Sequence, residues 1–492
     1  MKSSGRWPSW RYALLREQAC LRRHGKAWPL PAVSRLLRGL AGTSPALRLA
    51  TAGALAAAVA VGSFAAGVQA AGMPSPSRPP GAEVSPEMNG HWIDTWVAAP
   101  QLTEPSNMPP PPFTQVNLVF ADSTIRQTIH VTLGGQQVRL RFSNAYGGAD
   151  LPITAVSVAL PIDGQAGVSA IQPGTSQPVT FDGQAGVDIP VGAQAVSDPL
   201  DFDLVLGSNL TVTMYLAAGQ ASHDITSHPG SRTTSYMVAG NHVGDENLAG
   251  AASVAHWYFL SGAEVWSRPA TAAVAIVGDS LTDGRGSTTN GNDRWPDQLF
   301  TRLRSIPDAS GVAVLNQGLG GNRVLNDGLG PNVLARLDRD VLVQSGVKWL
   351  IVFEGVNDIG TADSTEAAQK QVAANLIAAY QQIITRAHAL GIRVFGATIT
   401  PFGGNAGYDD PQGLREAARQ TVNQWIRTSH TFDAVLDFDQ AVRDPANPRQ
   451  ILPSFDSGDH LHLNPAGYQA LAGAVPASRF RQAPLPWGFG FR

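Results

Sequence analysis

The chain has a single cysteine, Cys20, and it lies in a basic N-terminal stretch. The main body therefore has no disulfide, no cysteine metal site and no thiol nucleophile. Basic charge is also scarce. Residues 1–50 hold ten of the 35 Lys/Arg and one acidic residue, Glu17, which leaves 25 basic against 37 acidic side chains in the rest. An acidic body excludes a nucleic-acid partner, because such surfaces need clustered Lys/Arg to displace counterions from phosphates. Charged residues are only 15% of the total and hydrophobic ones 43%, which excludes a disordered chain. With 492 residues, there is room for two to three domains of roughly 150 residues each.

Long apolar runs are confined to one place. Residues 49–71 carry no charge, are rich in Ala and Gly, and follow a basic region ending at Arg48. Val68-Gln69-Ala70 then offers small residues where a signal peptidase reads. Basic, apolar, small is the order of a signal peptide, although the basic part is long for one. Residues 1–71 are therefore expected to be a targeting segment cleaved near Ala70, with a secreted or periplasmic mature chain that does not stay inserted in a membrane. The competing reading, an uncleaved anchor, is weakened by the Ala/Gly content, which partitions poorly into lipid. Residues 72–90 are Pro/Ser-rich and read as a linker.

Residues 91–268 read as a β-rich accessory domain. Ile125, Ile129, Val131 and Leu133 alternate with polar residues, Gly134-Gly135 follows, and Val138, Leu140 and Phe142 resume the alternation. That pattern predicts a β-hairpin with one buried face. Leu210, Val212, Met214 and Leu216 repeat it, turn glycines recur, and no helical period is present. A β-sandwich or jelly-roll-like domain is expected. Trp92, Trp96, Trp257 and Tyr146 are of a type that can stack on sugars, but aromatics in a β-domain are more often core. His130, His223 and His228 have no metal-site spacing, and no metal or cofactor is expected.

The rhythm changes at residue 269. Apolar runs at 272–277, 312–315, 349–353, 392–398 and 432–436 lack alternation, as strands buried on both faces of a parallel sheet do. Helical patterns at 295–303, 366–390 and 414–426 lie between them. Residues 269–480 thus predict a doubly wound α/β domain, followed by a tail, 481–492. In such sheets the site lies at the carboxyl ends of the strands.

Chemistry-bearing residues fall at those ends. Gly278-Asp279-Ser280-Leu281 follows the first run and places a small hydroxyl at a strand-to-helix turn. It is not the Gly-x-Ser-x-Gly elbow, because position 282 is Thr. Asn316 to Gly321 is a glycine-rich loop without a Walker lysine; its Gly321 N–H suits an oxyanion or simply closes a turn. Asn357 can donate its amide to a developing negative charge, or serve as a helix cap. Asp459 and His462 are three apart, so the acid can orient the imidazole while the other ring nitrogen takes a proton from Ser280. His460, two residues from His462, should point elsewhere.

The four blocks in this order resemble the SGNH/GDSL hydrolase superfamily. The upstream region resembles that of a secreted bacterial branch through Thr95-Trp96-Val97-Ala98-Ala99 and Ser143-Asn144-Ala145-Tyr146-Gly147. The resemblance implies a flavodoxin-like three-layer α/β/α fold for 269–480. It implies a catalytic triad of Ser280, Asp459 and His462 and an oxyanion hole of Ser280, Gly321 and Asn357. The function implied is a serine esterase that cleaves carboxylic esters through an acyl-enzyme, its substrate a small-molecule or polysaccharide ester such as an O-acetylated carbohydrate. A lipase or lysophospholipase is the second reading, favoured by an apolar patch that residues 325–337 would supply. A non-catalytic glycan-binding protein is the third, and the intact Ser-Gly-Asn-His set argues against it. Glu354 departs from the superfamily pattern and is expected to bear on substrate preference. Nothing in the sequence fixes an oligomeric state.

Overall fold

The computed structural model describes residues 90–481. The expected targeting segment 1–71 with its cleavage near Ala70, the linker up to residue 89 and the tail beyond Arg481 lie outside the described residues. No helix among the described residues is long and apolar enough to cross a membrane.

The β-rich region contains two main antiparallel sheets. In the first, strand β1 (His91–Val97) pairs with β6 (Leu260–Ser267), which pairs with β3 (Gly135–Ser143); the short strands Gln194–Val196 and Leu200–Leu204 continue along β3. In the second, β2 (Ser123–His130) lies between β4 (Asn209–Leu216) and β5 (Ser235–Ala239). The expected hairpin is therefore wrong: β2 and β3 are both strands, but each belongs to a different sheet. Thr95 explains the break. Its hydroxyl accepts from Thr132 N and Leu133 N and donates to Leu133 O, which pulls the connection towards β1 instead of letting β3 fold back on β2. The polar face of β2 is buried too. Arg126 is fully enclosed and donates to Thr213 Oγ1 and to the carbonyls of Ser169 and Asp245, so its alternation marks a satisfied interior face, not a wet one.

The five apolar runs of the second region form one parallel sheet. Its strands are β7 (Ala272–Gly278), β8 (Val312–Gly318), β9 (Val347–Phe353), β10 (Arg393–Ala397) and β11 (Ala434–Leu436), in the order β8-β7-β9-β10-β11. This is the flavodoxin-like arrangement, with the order reversing next to β7. Every residue of β7 is buried, as expected for an interior strand of a sheet covered on both faces. Helices Trp295–Arg304, Glu366–His388 and Leu414–Thr428 stand at the predicted places. The longest starts on Thr365, whose hydroxyl accepts from Ala368 N, and ends with Arg386, whose charge suits the carbonyl end of a helix.

The two regions pack against each other within one compact unit and share a continuous apolar core. Their seam is polar as well. Ser345, before β9, donates its N–H to Asp94 Oδ2 at 2.6 Å, and Asp94 in turn accepts from Arg141, whose other nitrogen reaches Gln344. Thr132 meets Val314 of β8. Asp94 is fully buried, and burial pushes its carboxyl up to about 7 against the pull of Arg141. Removing it leaves a guanidinium that is 11% exposed without its carboxylate. Asp94→Ala is expected to lower unfolding free energy by about 3 kcal/mol, the typical cost of stranding one half of a buried ion pair. Urea denaturation followed by tryptophan fluorescence measures this, and a change under about 1 kcal/mol would show that the pair carries little of the seam.

Candidate active site

Ser280 is the first residue of a short helix, Ser280–Asp283, that starts where β7 ends. Asp279 caps it, its Oδ1 accepting from Leu281 N at 2.9 Å. The turn is clamped from the side by β8. Asn316 donates to Thr282 O, Leu319 N donates to Gly278 O, and a Cβ on Gly318 would lie 2.4 Å from Asp283 N, so only glycine fits there. A hydroxyl held on so fixed a turn has little freedom to turn away.

His462 comes from the far end of the chain. Its Nε2 lies 2.8 Å from Ser280 Oγ, and its Nδ1 lies 2.6 Å from Asp459 Oδ2. Asp459 Oδ1 accepts from Leu461 N and His462 N at 3.0 and 2.8 Å. The three-residue spacing therefore folds into a turn in which the acid binds both the backbone and the ring of the histidine. Burial acts to raise the Asp459 carboxyl, but the backbone and ring N–H donors of His462 outweigh it and hold it at about 2. Burial lowers His462 below its ordinary value, Asp459 opposes this, and Arg285 and Arg232 add to the lowering. At neutral pH the ring is thus free to accept a proton from Ser280, with a carboxylate ready behind it. The other histidine, His460, binds Asp456 at 2.6 Å on the surface.

Gly321 and Asn357 line the same cleft as Ser280. Gly321 has φ +72°, a left-handed conformation that favours glycine. Among the described residues neither the Ser280 nor the Gly321 N–H donates to another group. Asn357 is fixed at both ends: Tyr408 OH donates to its Oδ1 at 2.6 Å and its Nδ2 donates to Asn322 O at 2.7 Å, which leaves the second amide hydrogen for a ligand. Asp358, beside it, accepts from Val324 N and Leu325 N and so holds the loop that follows Gly321.

The cleft encloses about 470 Å³ at the carboxyl ends of the parallel strands. A second cavity of about 770 Å³, bounded by Thr271 and Gly311, opens at the opposite end of β7 and touches none of these residues. Several residues of the cleft wall escaped the sequence reading. Gln101, Glu104, Ser106 and Asn107 come from one segment of the β-rich region, 101–107, and Pro229, Gly230 and Arg232 from a loop of the same region. Asn405 and Tyr408 come from the loop after β10, which the strand-end rule could have flagged. Asn405 also donates to Asp459 O at 2.8 Å. His228 pairs with Asp283, three residues after Ser280, at 2.9 Å. Nothing in its spacing announced this, because the two are joined only by the packing of the two regions.

One expectation changes, that for Glu354. Glu354 does not line the cleft: it is 2% exposed, and neither carboxyl oxygen has a hydrogen-bond partner among the described residues. Burial, with the nearby Asp279 and Asp358, pushes it well above the usual carboxylate range, so it sits under the site as a neutral acid out of a substrate's reach. The aromatics do not form a platform in the cleft either. Trp96 and Trp257 pack edge-to-face in the core, while Trp92 and Tyr146 lie under Arg139 and Arg339.

Residues 276–470 match the GDSL-like lipase/acylhydrolase family. No curated protein matches the chain. Among solved structures, a protein assigned to the G-D-S-L family from Desulfitobacterium hafniense is 22% identical over 43% of this chain and 99% of its own, with a TM-score of 0.32. A catalytic mutant of an acetylxylan esterase from Geobacillus stearothermophilus is 18% identical over 41% of this chain and 91% of its own, with a TM-score of 0.31. A GDSL-like lipase from Bacteroides thetaiotaomicron is 17% identical over 41% and 84%, with a TM-score of 0.30.

The electrostatics of the histidine can be checked without any substrate. In an NMR titration, the His462 ring, assigned by its absence from His462→Gln, is expected to titrate below the ordinary 6.5. Asp459→Asn removes the two contributions that raise it, so the midpoint should fall further. A rise in Asp459→Asn would mean that the carboxylate does not face the ring.

Proposed function

With residues 276–470 forming a GDSL-like lipase/acylhydrolase domain, we propose that the chain is a serine esterase that cleaves carboxylic esters through an acyl-enzyme. The observation that carries the reading is the line Ser280 Oγ–His462 Nε2–Asp459, with contacts of 2.8 and 2.6 Å, ending at the cleft floor. Ser280 attacks the ester carbonyl while its proton passes to His462 Nε2, and Asp459 stabilises the imidazolium that forms. The carbonyl oxygen gains a negative charge and is received by the N–H groups of Ser280 and Gly321 and the free amide hydrogen of Asn357. His462 then protonates the departing alcohol. Water, deprotonated by the same ring, attacks the acyl-enzyme and releases the acid and Ser280.

The cleft wall favours a short acyl group and a polar alcohol such as an O-acetylated carbohydrate. Its apolar members are few, chiefly Leu329, Leu461 and Pro229, among amide, hydroxyl and charged side chains. A long acyl chain would need the segment 325–337 as an apolar wall, but Val333 and Leu337 are spent on the core. The charge-free segment 49–71 after a basic stretch supports export, which would put the enzyme where polysaccharides are met.

Ser280→Ala is expected to abolish hydrolysis of 4-nitrophenyl acetate without a change in the circular dichroism spectrum; retained turnover would sink the assignment. Asn357→Ala should lower kcat by about 10²–10³ with little change in KM, the usual loss for one oxyanion donor. Because His462 must be neutral to act as base, kcat/KM should fall as the pH drops through its midpoint, below 6.5, and not before. A panel of 4-nitrophenyl esters should show turnover falling steeply beyond short acyl chains, and a preference for long ones would favour the lipase reading.

A further inference from the structure

The loop between strands Thr226–His228 and Ser235–Ala239 lies directly over the Ser280 turn. A Cβ on Gly230 would lie 1.7 Å from Asp283 Oδ2, so the backbone passes as close as a backbone can. Arg232 follows with φ +52°, a conformation that costs a non-glycine residue free energy and persists only where its surroundings impose it. They do: Arg232 O accepts from Asn290 N at 2.8 Å, Asn290 Oδ1 accepts from Thr234 N, and Ser231 binds Thr233 on both sides. The strained residue is thus held so that its side chain forms part of the cleft wall.

Its guanidinium has no partner among the described residues, and Nε is enclosed without a hydrogen bond. Arg285, also in the cleft wall, makes no side-chain hydrogen bond or ion pair either. Three fully or nearly fully buried arginines elsewhere are matched by acids: Arg294 by Asp297, Arg336 by Asp340, Arg419 by Asp439 and Glu416. The acids of the cleft are matched as well. Glu104 accepts from the amides of Gln101 and Asn107. Asp459 is engaged by His462. Asp283 is bonded to His228 Nε2, while His228 Nδ1 faces the Ala99 carbonyl. The cleft therefore holds hydrogen-bonded acids and, beside Ser280 and His462, two guanidinium groups without a partner among the described residues: the half-buried Arg232 and the exposed Arg285.

We propose that Arg232, with Arg285, receives a carboxylate carried by the substrate close to the scissile ester, which makes the natural substrate an acidic ester. This rests on the esterase reading. A planar guanidinium fork matches a carboxylate in two parallel hydrogen bonds, which the two terminal nitrogens of Arg232 can supply. The carboxylate has two sources: the alcohol half, as in an O-acetylated uronic acid unit, or the acyl half, as in the half-ester of a dicarboxylic acid.

The test compares kcat/KM of the full chain on O-acetylated galacturonic acid oligomers, neutral O-acetylated xylo-oligosaccharides, 4-nitrophenyl hemiglutarate and 4-nitrophenyl acetate. One acidic ester should be preferred over its neutral counterpart, and the one preferred tells which half carries the charge. In Arg232→Gln that acidic-to-neutral ratio should fall about 10–100-fold, the span expected when a charged partner is lost, and Arg232→Lys should restore it only in part. Should Arg232→Gln fail to fold, free galacturonate and glutarate on the unmodified protein serve instead: one of them should inhibit 4-nitrophenyl acetate hydrolysis competitively, and neutral galactose should not. Equal turnover of acidic and neutral esters, an unchanged ratio in the variant, or no inhibition by either acid would overturn the proposal. Absence of any 4-nitrophenyl acetate turnover would instead overturn the esterase reading beneath it.

Discussion

The Ser280 turn is crowded from three sides, and that crowding organises the rest. Gly318 of β8 leaves no space for a side chain against Asp283, and Gly230 of the β-rich region leaves none on the other side. Phe353, the last residue of β9, pairs with Gly278 of β7 below. At Gly318 the close neighbour is backbone, and at Gly230 it is the Asp283 carboxyl that His228 holds, so neither side gives the turn room to shift. The crowding also explains why the β-rich region is not a separable appendage: its loop at Gly230 is one of the three walls.

Around this fixed point the charges are arranged by burial. Asp279 and Glu354 lie beneath the turn, fully enclosed, and burial raises both, Asp279 to about 7. Asp459, more open and fed by three N–H donors, is driven the opposite way. The acids under the site thus tend towards neutral while the acid behind His462 stays charged. Environment separates carboxyl groups of similar intrinsic acidity into different roles.

Much of the fold was readable because parallel strands leave an unmistakable trace. The run at 272–277 is apolar at every position, since both faces of β7 meet protein, and the five runs became five neighbouring strands. The antiparallel region was less legible. Alternation at 125–133 and 138–142 marks two strands truly, but says nothing about which strands they meet, and the glycine pair suggested a hairpin that the Thr95 contacts prevent. Arg126 showed the same limit. A polar residue buried with its donors satisfied looks, in sequence, like one facing water.

What the sequence determined by itself was the local chemistry: which residues sit at strand ends, and that Asp459 and His462 fall within one turn. Short-range spacing is enough for that, because it depends only on backbone geometry. Only the tertiary structure decided that Asp283 meets His228, that Tyr408 fixes Asn357, that Glu354 is walled off and that Arg232 enters the cleft. Those pairs are separated by dozens to over a hundred residues, and their meeting depends on how two sheets and their loops pack, a property no local pattern encodes.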